Sequence, residues 1–192
     1  MIYTVELNFS DPTRVVEWNA WYETYLAQLV SLPGLSTAQR FRALTPGTQS
    51  WEYLALYSVA SLDVFASEAY RSLGGGGLAS RQFSAAIRRR RNVYTGITRL
   101  PEVTAQGCVV LTADTRHEGE LADCLFVSLE AATGRRQAGA TELDGEPSRR
   151  ALAIMAAATA ERMALRGSEE GLAVYLPISR RYVARSETQA GI

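Results

Sequence analysis

A chain of 192 residues with a hydrophobic share of 47% can bury a core as one large domain or two small ones. Its twenty basic and twenty acidic residues cancel, which leaves no whole-molecule field to gather nucleic acid or an anionic membrane. All the basic residues are Arg, so Schiff-base, pyridoxal-attachment and phosphate-loop lysine chemistry are excluded.

Cys108 and Cys124 are too few for a disulfide framework and lack a close metal spacing; the expectation is two reduced, structural thiols. The opening MIYTVELNFSDP has no basic region followed by an apolar run. No later stretch reaches the roughly 18 apolar residues of a membrane span, so a cytoplasmic location is expected.

Tyr3, Val5, Leu7 and Phe9 alternate with Thr4, Glu6 and Asn8, which predicts a first strand with one face against helices. Ser10, Asp11 and Pro12 then supply a cap and an N1 proline for a helix carrying Trp18, Tyr22, Leu26 and Leu29, ending at Pro33-Gly34. Leu35 to Leu44 and Trp51 to Val59 read as a hairpin around a turn at residues 45–49. Ser61 can cap a helix through Val64, Phe65 and Tyr70; after Gly74 to Gly77 a second helical piece is predicted from Ser80 to Arg90, and a strand from Val93 to Leu100. The order β-α-β-β-α-β is α+β and ferredoxin-like: four antiparallel strands with both helices on one face.

Past a connector at Pro101 to Gln106, Cys108 to Ala113 reads as a strand and Glu120 to Ala132 as a helix, with a strand over Cys124 to Glu130 as the alternative. Arg136 to Leu143 reads as a strand, Pro147 to Arg166 as an Ala-rich helix and Gly171 to Ser179 as a closing strand. The chain is thus divided into residues 1–100, a ferredoxin-like half, and residues 107–185, a degenerate repeat of it.

The segments YTVELNF, EWNAWYETYLAQLVSLPGLSTAQRFRAL, WEYLALYSV and NVYTGI resemble the dimeric α/β-barrel superfamily, closest to its EthD-like members, over roughly residues 2 to 100. The resemblance implies two sheets closed on each other, as a homodimer or by internal pairing of the two halves. Many such relatives carry a His in a WYxxHLPxLLxxPG pattern; here Tyr25 stands at that place and Ala27 at the Pro. A phenol with an ordinary pKa of about 10 is a hydrogen-bond donor rather than a base at neutral pH. The superfamily includes cofactor-free monooxygenases, cyclases, dehydratases and haem enzymes, so it implies a fold and not one reaction.

In such a barrel the face away from the helices lines the cavity. That places Glu6 and Asn8 there, with Arg40 and Arg42 from strand two, Trp51, Tyr53 and Tyr57 from strand three, and Asn92 and Tyr94 from strand four. With Trp21 and Tyr25 they form an aromatic, polar site for a planar or polyketide-like small molecule. Glu6 reads either as a general base of raised pKa, with Arg40 or Tyr53 stabilising an enolate oxygen, or as half of a Glu6–Arg40 ion pair.

His117 is the sole histidine, which leaves a surface loop residue or a single axial haem ligand; no GxSxG or HExxH accompanies it. Gly74 to Gly77 lacks a phosphate-loop pattern and reads as a flexible loop or a lid over the barrel mouth. Arg88 to Arg91 reads as a solvated helix end. The functional expectation is a lyase, cyclase, dehydratase or cofactor-independent oxygenase, needing no cofactor and no nucleic-acid or membrane partner. A non-catalytic binding or assembly module is the alternative, and a haem protein using His117 the second.

Overall fold

The computed structural model describes residues 1–45, 51–112, 125–165 and 172–185, with side chains of the last helix described through residue 161. Strand β1 (Ile2–Phe9) leads into helix α1 (Val15–Leu29). The Asp11 carboxylate accepts from the Thr13 amide at 3.0 Å and hydroxyl at 2.6 Å, so Pro12 lies in a turn ahead of the helix. Trp18, Tyr22, Leu26 and Leu29 form the buried stripe of α1, as their spacing requires.

Strands β2 (Leu35–Ala43) and β3 (Tyr53–Val59) follow as a hairpin. Ser61 caps a short 3₁₀ turn at Leu62–Ala66, and Ser67 caps α2 (Glu68–Ser72) through the Tyr70 amide at 3.2 Å. A second 3₁₀ turn spans Arg81–Ala86, and β4 (Ile87–Thr95) starts directly after it.

The expected helix over Ser80 to Arg90 is therefore corrected. Ile87 to Tyr94 pair residue for residue with Phe9 back to Ile2, and this ladder outweighs the helical preference of an Ala- and Arg-rich run. The arginines of the run alternate across the sheet instead of crowding a helix end.

The second half contains β5 (Gly107–Thr112), β6 (Leu125–Ala131), a small hairpin of β7 (Arg136–Ala138) and β8 (Thr141–Leu143), β9 (Arg149–Ala156), α3 (Ala157–Leu165), β10 (Leu172–Pro177) and β11 (Tyr182–Val183). Residues 125–131 form a strand, as the alternative over Cys124 to Glu130 had it, not the helix. Arg136 to Leu143 is a hairpin and not one strand. The Ala-rich segment is mostly not helical either: β9 lies between β5 and β6, and Ala151, Leu152 and Ala153 are all buried. A central strand covered on both faces loses its period of two, and small side chains then imitate a helix former. His117 and Cys124 lie outside the described residues, while Cys108 is fully buried in β5.

The strands run in the order β10-β5-β9-β6-β4-β1-β3-β2, and β10 also pairs with β2, which closes an eight-stranded antiparallel barrel within one chain. The order β4-β1-β3-β2 of the first half recurs as β10-β5-β9-β6 in the second. Phe41, Leu54, Leu56, Val109, Leu152 and Tyr175 pack inside the barrel, whereas Tyr3, Val5, Trp18, Tyr22 and Tyr57 pack between the first-half sheet and α1. Among the described residues no helix is long and apolar enough to cross a membrane.

Candidate functional site

Inside the barrel Glu6 is 1% exposed and grips two arginines. Arg90 donates from Nε at 2.6 Å and Nη2 at 2.9 Å, and Arg150 donates from Nη2 at 2.9 Å. Burial works to raise the Glu6 carboxyl, but the Arg150 charge and the hydrogen bonds and charge of Arg90 outweigh it and hold the group below the ordinary carboxylate value. Glu6 is thus a fixed anion, which corrects the general-base reading. Its ion pair is real but joins Arg90 and Arg150 in place of Arg40.

The neighbouring polar groups of this face are also engaged. Asn92 donates to the Glu146 carbonyl at 2.8 Å and accepts from the Gly145 amide at 2.7 Å. Tyr94 donates to the Pro147 carbonyl at 2.9 Å, and Asn8 accepts from the Glu52 amide at 2.7 Å. Trp51 lies beneath Arg88 and Arg90, with guanidinium carbons 4.6 and 5.4 Å from its ring centroid. These groups hold the barrel together.

Tyr53, Tyr57, Arg40 and Arg42 were expected on the same inner face, and the register corrects this. Tyr57 pairs with Tyr3, Tyr53 with Leu7 and Arg40 with Ala55, all of the parity that faces α1. Leu54 and Leu56, opposite Glu6 and Thr4, take the inward places.

Between α1 and the sheet lies a cavity of about 50 Å³. Tyr3, Tyr22, Tyr25, Tyr57 and Tyr70 bring phenols to it, Trp21 an indole, and Arg89 and Arg91 their guanidinium groups. Trp21 and Tyr25, one helical turn apart, stack at 5.1 Å with planes 14° apart and make a flat wall. The Tyr22 and Tyr57 hydroxyls are 3.2 Å apart. Burial raises the Tyr3, Tyr22, Tyr25 and Tyr57 phenols above their ordinary value, so they stay protonated donors.

Residues 74–77 cover this cavity, not the barrel mouth. The Gly76 amide donates to the Tyr70 hydroxyl at 3.2 Å, and its carbonyl accepts from Arg91 at 3.0 Å. Gly76 has φ +71, and a Cβ there would collide with the Ala140 carbonyl oxygen. Glycine is required for this close approach, so the cover is tethered backbone.

Arg89 and Arg91 share one face of β4; the Arg91 amide donates to the Asp144 carboxylate at 2.7 Å, but neither guanidinium pairs with a carboxylate among the described residues. Burial, and then the neighbouring Arg91 charge, lower the Arg89 guanidinium from its ordinary value. Among the described residues no carboxylate, thiol or imidazole lines the cavity. The arrangement can hold a planar anion and stabilise negative charge.

Of the residues named from the sequence, Trp21, Tyr25 and Tyr57 line this cavity. Tyr53 and Arg40 lie on the same sheet face in an adjacent groove, and Glu6, Asn8, Trp51, Asn92 and Tyr94 belong to the barrel side. Arg89, Arg91, Tyr3, Tyr22 and Tyr70 were missed. Their signal was the run Arg88 to Arg91, which read as strand turns alternate arginines to opposite faces. Among the described residues no group of three or more His, Cys, Asp or Glu side chains gathers as a metal site.

The sequence matches no protein-family model and no curated protein. Solved structures that share its fold include the following two. An anthrone oxidase-like protein superposes with a TM-score of 0.55 at 10% identity, over 100% of this chain and 96% of that one. A monooxygenase candidate from Fusobacterium nucleatum superposes with a TM-score of 0.50 at 8% identity, over 95% of this chain and 94% of that one. The chain is therefore similar in fold, along nearly its whole length, to both proteins.

Proposed function

We propose that the chain is a small-molecule enzyme of the oxygenase type, acting without a cofactor on a planar aromatic substrate bound as its phenolate or enolate under α1. The observation that carries the reading is the pair of guanidinium groups of Arg89 and Arg91, which pair with no carboxylate among the described residues and stand beside buried phenols. The names of its structural neighbours lend support.

The reaction turns an activated methylene and dioxygen into a ketone and water. The substrate loses a proton to water and its carbanion passes one electron to dioxygen. The two radicals join as a peroxide, and loss of water leaves the carbonyl. The chain's part is to make the anion available. A cation about 4 Å from the developing oxyanion contributes about 4 kcal/mol at an effective dielectric of about 20, or about three pKa units on the substrate. The Trp21–Tyr25 wall orients the ring, and the phenols donate to its oxygens. A cavity of about 50 Å³ holds waters rather than a fused ring, so substrate entry displaces the cover at residues 74–77.

In this reading residues 1–100 and 107–185 are two ferredoxin-like halves paired within one chain, supported by the repeated strand order. The EthD-like likeness rests on residues 2 to 100. Light scattering at 21.0 kDa supports internal pairing, and twice that mass a homodimer. Lyase, cyclase or dehydratase chemistry is the weaker form, since Glu6, the base it would use, is engaged by two arginines. A non-catalytic binder is the second reading, favoured by the lack, among the described lining residues, of a group that titrates near neutrality.

The test is oxygen uptake and quinone absorbance with an anthrone as substrate. Acceleration over buffer that Arg91→Met abolishes supports the oxygenase. Binding without oxygen uptake supports the binder, and neither one overturns both.

A further inference from the structure

On the other side of the Tyr22–Tyr57 pair, α1, β2 and β3 enclose a groove of about 330 Å³ lined by Asn19, Ala20, Glu23, Arg40, Arg42, Tyr53 and Ile178. Arg40 is its buried wall, 1% exposed. Its guanidinium carbon lies 4.0 Å from the Tyr22 ring centroid, 4.7 Å from that of Trp18 and 5.6 Å from that of Tyr53.

Arg40 Nε and Nη2 are buried without a hydrogen-bond partner, and so is the Asn19 Oδ1 atom in the same groove. The nearby carboxylates are engaged elsewhere. Glu23 accepts from the Tyr182 hydroxyl at 2.7 Å, and Glu52 accepts from Arg42 at 2.7 and 3.0 Å. Cation–π contact offsets about 2 kcal/mol of the desolvation of a guanidinium, whereas burying a lone charge costs several kcal/mol. The Glu23 charge across the groove favours the Arg40 cation without bonding to it, and two buried donors are left open to an anion.

We infer that this groove is a second ligand site, separate from the cavity at Arg89 and Arg91, and that it takes a small carboxylate. Nε and Nη2 form the edge of a guanidinium that matches the two oxygens of a carboxylate. The Tyr53 ring and Ile178 at the groove suit an aromatic or short aliphatic body, and the Asn19 amide adds a polar contact.

The test is a calorimetric titration of the full chain with benzoate, using benzyl alcohol as the neutral control. Benzoate binds and benzyl alcohol does not. Arg40→Met weakens benzoate more than about 10-fold, the loss of a charge-assisted pair, while Arg91→Met leaves it unchanged. Without benzoate, Arg40→Met raises the melting temperature by about 2–4 °C because a lone buried charge is gone. Should that variant not fold, Arg40→Lys, which keeps charge but loses the two-pronged edge, weakens benzoate in its place. Absence of benzoate binding by the wild-type chain overturns the inference. So does binding that Arg91→Met removes and Arg40→Met spares, since the benzoate then sits in the other cavity. A fall in melting temperature for Arg40→Met, together with no wild-type binding, makes Arg40 a packing element only.

Discussion

Arg90 points into the barrel and closes on Glu6, whereas Arg89 and Arg91, one residue to either side on β4, point toward α1 and close on no carboxylate among the described residues. The same residue type on the same strand closes on a carboxylate on one face and only on neutral oxygens on the other. The inward face joins both halves of the chain, since Glu6 of β1 is held by Arg150 of β9. The outward face collects Arg40, Arg89 and Arg91 around buried phenols. Arg150 keeps two buried nitrogens without a partner but closes on Glu6, so the two faces differ in having a carboxylate for their guanidinium groups and not in the satisfaction of every donor.

The comparison breaks most directly at Glu6. Glu6→Leu leaves Arg90 and Arg150 facing an apolar contact and costs about 3–5 kcal/mol of folding stability, read by denaturant unfolding. The sign of the pH effect follows from the lowered Glu6 pKa. A carboxyl depressed in the folded state contributes fully above its unfolded value, about 4.3, and loses that contribution as pH falls through the folded value. The stability gap between wild type and Glu6→Leu should therefore be flat from neutrality down to that value and shrink below it. A gap that stays constant into stronger acid would deny the ion pair.

On the outward face the expected effect is on binding. Arg91→Met should weaken binding of an anthrone, the ligand proposed for the cavity under α1, by about 10- to 100-fold, the loss of one charge-assisted hydrogen bond, at a folding cost well below that of Glu6→Leu. Arg89, more exposed, should give a smaller loss in the same titration. Equal destabilisation by Arg91→Met and Glu6→Leu would erase the distinction between the faces.

The first three strands and α1 were legible because their local signals agree with their tertiary setting: Tyr3, Val5 and Leu7 alternate, and Trp18, Tyr22 and Leu26 recur at helical spacing. β4 and β9 were not, because their partners lie far along the chain. Arg90 finds Glu6 across 84 residues, and Arg150 finds it across 144. An Arg run or an Ala run carries no mark of such pairing, so its helical propensity decides the reading. The aromatic content of the site was legible, and its side of the sheet was not. Alternation tells which residues share a face, and the hydroxyl tips of Tyr53 and Tyr57 suggested a polar lumen, but Leu54 and Leu56 hold the inward parity.

The smallest expected effect probes the boundary between the two ligand sites. The Tyr22 and Tyr57 hydroxyls bond to each other at 3.2 Å, both buried, and the same Tyr22 ring lies over the Arg40 guanidinium. Tyr22→Phe strands the Tyr57 hydroxyl, and Tyr57→Phe strands that of Tyr22, so each should cost about 1 kcal/mol. The double variant strands neither, and its cost should fall below the sum of the two, a coupling that a double-mutant cycle on denaturant unfolding resolves. Because both rings stay in place, the stack over Arg40 is preserved and benzoate affinity in the groove should not change. Strictly additive costs would show that the phenols act independently, and the wall between the cavity and the groove would then rest on ring packing alone.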